Sequence, residues 1–133
     1  MSENISDYGS EYLVDTDVII NHLKRKSSSL YNLHGEARLY ISVLTEYELF
    51  VGINNQIEEN ELENLMHFFT RLEITSDICR KAAEFERYHG IAHILGPIDL
   101  LIAATAVQKK MKLITENKKH FRLVPEVKLY SEA

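Results

Sequence analysis

The sequence has a single cysteine, Cys79, among its 133 residues. No disulfide can form within the chain, and a cysteine-based zinc site would lack its ligands. No apolar run approaches the length that spans a bilayer. Met1 to Glu11 is polar and acidic, without the basic start and apolar stretch of a signal peptide. Together these absences predict a cytoplasmic protein with no membrane segment. An excess of positive charge is also missing. The net charge is −5, which excludes a protein that coats nucleic acid by bulk electrostatics, because phosphate contacts come mainly from Lys and Arg.

What is present is ordinary for a globular protein, with 45% hydrophobic and 26% charged residues, so composition alone assigns no function. The length suits one domain with a real core. Charge is unevenly spread: Lys109, Lys110, Lys112, Lys118, Lys119 and Arg122 face Glu116 alone. Such a run reads either as a solvated helix end and loop or as a rim that contacts phosphates.

Short β-rich segments alternate with longer helical patterns, which predicts an α/β fold: one three-layer α/β/α domain around a central parallel sheet of four to five strands. The strands are expected at Tyr12 to Asp15, Leu39 to Ser42, Leu72 to Ile74, Leu113 to Thr115 and Val127 to Tyr130. Helices are expected at Thr16 to Leu23, Thr45 to Ile53, Glu58 to Thr70, Asp77 to Tyr88 and Pro97 to Lys110. Loops are expected at Lys24 to Ser29, Asn54 to Gln56 and Gly90 to Gly96. Residues 1–11 read as a polar extension and 12–133 as the domain.

Four short segments carry polar groups where strands give way to helices. In Tyr12-Leu-Val-Asp15-Thr-Asp17 an apolar strand ends on an acid, and in a parallel sheet ligands bind beyond the carboxyl ends of the strands. Asp15 or Thr16 could equally cap the next helix. Thr45-x-x-Glu48 has the form of a capping box, which gives Glu48 a structural role. Asp99 follows Pro97 in a first helical turn, where the macrodipole favours an anion. Its helix is apolar almost all round and should be buried, so that acid needs a partner. Thr115 and Asn117 end a strand with oxygen groups suited to a cation or a turn. Carboxylates gathered at converging strand ends would repel one another and raise one another's pKa. A hard cation such as Mg²⁺ or Mn²⁺ relieves that conflict, whereas zinc prefers Cys or His. His89 and His93 flank Gly90 and read as loop histidines rather than a metal pair.

At these positions the chain resembles the PIN-domain nucleases, and most closely the VapC-type toxins of prokaryotic toxin–antitoxin pairs. Asp15 matches the first acid in the motif Asp-Thr-(Asn/Asp), and Glu48 the second in Ser-x-x-Thr-x-x-Glu-Leu, here Ser42 to Leu49. Asp99 matches the third in Asp-x-x-Ile-Ala-Ala. Thr115 and Asn117 match Thr-x-(Asp/Asn), followed by Phe121. The resemblance implies an endoribonuclease in which Asp15, Glu48 and Asp99 hold Mg²⁺ or Mn²⁺, with Thr115 and Asn117 completing the catalytic set. Thr16, Asp17 and Ser42 would orient them from behind, and Lys118, Lys119 and Arg122 would contact RNA. It also implies a homodimer and a cognate antitoxin whose helix lies in a groove and directs a basic side chain at the acids. Asn117 stands where many relatives carry Asp, which predicts one well-held ion before RNA binds. Two other readings are a catalytically silent PIN-like binding module and, because Asp15-x-Asp17 ends a strand, a haloacid-dehalogenase-like phosphatase.

Overall fold

The structure is a computed structural model and describes residues 9–24, 30, 33 and 37–131. Most of the N-terminal extension and of the Lys24 to Ser29 loop lies outside these residues. The sheet has four parallel strands: β1 (Glu11–Val14), β2 (Arg38–Ser42), β3 (Thr70–Leu72) and β4 (Lys112–Ile114), ordered β3-β2-β1-β4. The helices are α1 (Thr16–Leu23), α2 (Val43–Val51), α3 (Gln56–Met66), α4 (Ser76–His89), α5 (Ala92–Leu95), α6 (Pro97–Lys109) and α7 (Lys118–Phe121). Glu11, assigned by sequence to the extension, belongs to the sheet.

Alternation along the strands sends successive side chains to opposite faces, and both faces are buried. Leu13 and Leu113 enter one core with Ile78, Phe85, Ile102 and Phe121. Their neighbours Val14 and Ile114 enter the other with Val18, Ile41, Leu49 and Leu62. The three-layer α/β/α expectation is met, with α4 and α6 covering one face and α1, α2 and α3 the other.

Three helices show how local sequence sets the ends. Asn55 caps α3 by accepting from Glu58 N at 2.9 Å, so α3 starts at Gln56 rather than Glu58. Thr75 caps α4 by accepting from Ile78 N, and Gly90 closes it in the left-handed region at φ 59°, where glycine is favoured. The α6 helix is buried through Leu100 and Ile102 to Ala106, as its apolar composition requires.

Several expectations need correcting. The third helix stops at Met66 instead of Thr70, because Phe68 and Phe69 fold back through bonds to Leu65 O and Met66 O. Phe69 stays in the core, so the apolar spacing outlives the helix. Strand β3 therefore begins at Thr70, pairing Tyr40 with Thr70 and Ser42 with Leu72. The second helix starts at Val43 because Ser42 caps it, Oγ accepting from Leu44 N at 3.0 Å. The fifth strand is reduced to a bridge of Leu129 to Leu113, preceded by Glu126 at φ 71°. Finally, the Gly90 to Gly96 loop contains α5, and α7 follows Asn117 where a simple turn was expected. No helix among the described residues is long and apolar enough to cross a membrane.

Candidate active site

The strand order creates the site. The chain runs outward through β1, β2 and β3 and then returns to β4 on the far side of β1, leaving a crevice at the carboxyl ends of β1 and β4 where the order reverses. The β1/β4 register pairs Val14 with Ile114, so the next residues, Asp15 and Thr115, stand side by side. Thr115 Oγ1 donates to Asp15 Oδ2 at 2.8 Å, and Asn117 N donates back to Thr115 Oγ1 at 2.9 Å. Asp15 Oδ1 accepts from Thr16 N at 2.9 Å, which makes Asp15 the cap of α1 as well as a strand-end acid.

Asp15 is 4% exposed. Burial, joined by the negative charges of Asp17 and Asp99, pushes its carboxyl up to about 8, although the Thr115 and Thr16 hydrogen bonds act against the rise. Asp99, in the first turn of α6, is pushed up to about 6 by burial and by the charges of Glu48 and Asp17, with His120 opposing. Four carboxylates from β1, α1, α2 and α6 thus share one electrostatic environment.

Glu48 does not close a capping box. Ser42 takes the cap of α2, and Glu48 Oε1 lies 2.7 Å from Thr16 Oγ1, which is also 3.1 Å from Thr45 Oγ1. One hydroxyl proton serves one acceptor. The shorter bond to the carboxylate takes it, leaving Thr45 to donate to Thr16. Thr16 therefore fixes Asp15 with its backbone and Glu48 with its side chain.

Asp17 is half-buried, and its Oδ1 is buried with no hydrogen-bond partner among the described residues. A desolvated carboxylate oxygen without a donor is costly unless a cation meets it. That orphaned atom and the all-oxygen character of the surrounding acids fit a hard divalent cation. Among the described residues no three such side chains close on a single point. Thr16 and Thr115 anchor two of the carboxylates, Glu48 and Asp15, and a bound cation would draw the four together against their mutual repulsion.

Ser42 is buried and engaged in its cap rather than with an acid. Asn117 precedes α7 without a side-chain cap bond. Lys118, Lys119 and Arg122 lie along and just beyond α7, and none forms a salt bridge among the described residues. His89 and His93 are exposed on α4 and α5 and build no metal group. Sequence reading passed over His120, whose charge reaches Asp99; its place three residues after Asn117 was the available signal. It also missed a groove of about 420 Å³ lined by Ile20, Leu23, Leu49 and Leu62 together with the charged Lys24, Glu48, Glu58 and Glu61. That surface joins three helices distant in sequence, so no local pattern announces it.

The PIN domain family model matches residues 12–127. Ribonuclease VapC1 of Methanocaldococcus jannaschii is 32% identical, covering 92% of this chain and 89% of its own length. Ribonuclease VapC19 of Mycobacterium tuberculosis is 31% identical over 86% of this chain and 95% of its own. Among solved structures, a toxin–antitoxin complex from Klebsiella pneumoniae superposes with a TM-score of 0.74 at 25% identity, covering 92% of this chain and 99% of that one. DNA-bound VapBC from Salmonella typhimurium gives 0.79 at 20% identity, covering 90% and 96%, and supports the fold.

Proposed function

Because the chain belongs to the PIN-domain family and is of its VapC type, we propose that it is a divalent-cation-dependent endoribonuclease, the toxin of a toxin–antitoxin pair. The observation that carries this reading is the set of mutually repelling carboxylates at the β1/β4 crevice, Asp15 buried and the others half-buried, with Asp15 pushed up to about 8 and Asp99 to about 6.

Asp15, Glu48 and Asp99 are the residues that would hold Mg²⁺ or Mn²⁺. When bound, such a cation polarises the scissile phosphate and makes water a better nucleophile. The chain's own groups do the rest. Thr115 and the Thr16 backbone keep the Asp15 carboxylate fixed, and the Thr16 hydroxyl keeps Glu48 turned toward the crevice wall. These bonds reduce the reorganisation needed when RNA arrives. Asn117 N holds the Thr115 hydroxyl in place. Lys118, Lys119 and Arg122, without carboxylate partners among the described residues, suit contacts to the phosphates of a single-stranded or looped RNA.

The groove supports the antitoxin part of the reading. Its apolar lining and its three glutamates, Glu48, Glu58 and Glu61, fit an amphipathic helix with basic side chains, and Glu48 belongs to both the groove and the carboxylate cluster. An arginine carried along that helix would pair with them. We also read the protein as a homodimer in the cytoplasm.

The test is cleavage of a mixed RNA pool by the wild type and by Asp99→Asn, with Mg²⁺ or Mn²⁺ and with chelator. We expect cleavage only by the wild type with the cation. Equal cleavage by both proteins, or cleavage that survives the chelator, refutes the proposal; RNA binding without cleavage returns the silent-module reading.

A further inference from the structure

We propose that Asp17 is itself a ligand of the divalent cation and supplies the fourth carboxylate that Asn117 does not. The inference rests on the reading of the crevice as a cation site and reassigns a residue that the sequence places behind the acids.

The helix-start explanation of Asp17 is incomplete. An acid in the first turn of α1 is favoured by the macrodipole, but the capping bond of that helix is made by Asp15, whose Oδ1 accepts from Thr16 N. Among the described residues Asp17 Oδ1 accepts from no donor, and it is nonetheless buried. An acid present only for the helix dipole gains nothing from desolvating an unpaired oxygen.

The competing uses of the other acids point the same way. Both oxygens of Asp15 already accept hydrogen bonds, and Oε1 of Glu48 accepts one from Thr16. Asp17 offers a buried oxygen with no such claim on it. Its charge acts on both Asp15 and Asp99, so it stands near both acids. With Asn117 neutral, Asp17 restores four carboxylates around the crevice, now with two on the β1–α1 junction and none after β4.

The experiment is titration of the full chain with Mn²⁺ alone, without RNA, following free Mn²⁺ by electron paramagnetic resonance. Wild type, Asp17→Asn and Asp77→Asn are compared, the last removing the same charge from the exposed first turn of α4. We expect Asp17→Asn to weaken Mn²⁺ binding by more than about a hundredfold, beyond the loss that removal of a residue behind the ligands causes, and Asp77→Asn to leave it within about twofold. The Asp17→Asn loss should persist when KCl rises from about 0.05 to about 0.5 M, because a ligand bond is not screened as a remote charge is. A loss of about a hundredfold or less, or one that disappears in high salt, overturns the assignment while leaving the cation site standing. A wild type that binds no Mn²⁺ overturns the cation reading itself. Melting in chelator checks folding of the variant; if Asp17→Asn fails to fold, Asp17→Ser is read by the same criteria.

Discussion

Replacing Asp15 with asparagine removes a charge while keeping the side-chain shape. The amide oxygen can still accept from Thr16 N, and the amide nitrogen can donate to Thr115 Oγ1. In the wild type the folded carboxyl is pushed from 3.8 up to about 8, so between those values the native state keeps a proton that the unfolded chain has released. The unfolded state then binds fewer protons, and stability falls as pH rises through that window. At about 1.4 kcal/mol per pH unit, the full cost at pH 7 is about 4 kcal/mol; relaxation of the crevice should take up about half. Asp15→Asn should therefore stabilise the chelated protein at pH 7 by about 2 kcal/mol, a Tm rise of about 8 °C for a chain of this size. Near pH 4 the gain should vanish. Thermal unfolding followed by circular dichroism in chelator, from pH 4 to pH 8, measures it. A variant less stable than wild type at pH 8, or a difference that does not grow with pH, would contradict the placement of Asp15 as a buried, repelled acid.

Other perturbations separate the parts of the site. Adding Mn²⁺ at pH 7.5 to about a hundred times its Kd should stabilise the wild type by about 2.7 kcal/mol and leave Asp15→Asn nearly unchanged, as read by differential scanning fluorimetry. Thr16→Val removes the hydroxyl that holds Glu48; cleavage should fall by about tenfold or more with little change in RNA affinity, and an equal loss in KM alone would argue against a positioning role. Replacing Lys118, Lys119 and Arg122 together with alanine should weaken RNA binding and reduce the slope of log K against log salt by about 2; an unchanged slope would remove them from the phosphate contacts.

The layer architecture was legible because strand alternation and helix spacing are local properties. The family match over residues 12–127 also removes the phosphatase alternative suggested by Asp15-x-Asp17. What sequence misjudged were boundaries set by side-chain caps. Thr45-x-x-Glu48 has the form of a capping box, but Ser42, three residues earlier, captures the helix start and frees Glu48 to meet Thr16. Spacing could not reveal that competition. Asp99 was readable as an acid in need of a partner because its helix is apolar. Asp17 was not, because an acid in a first turn already has a sufficient local explanation, and only the buried, unpartnered Oδ1 shows that explanation to be incomplete. His120 and the groove depend on contacts between elements far apart in the chain, so neither leaves a local pattern.

Activation of water by a carboxylate-held divalent cation against an RNA phosphodiester is the core of the proposed reaction. Its most direct test is the chemistry of the cut ends, read by mass spectrometry on a defined RNA cleaved with Mg²⁺ or Mn²⁺. Attack by water predicts products free of 2′,3′-cyclic phosphate, continued cleavage when the 2′-hydroxyl at the scissile position is replaced by hydrogen, and no product from Asp99→Asn. Cyclic phosphate ends, or complete dependence on that 2′-hydroxyl, would contradict it.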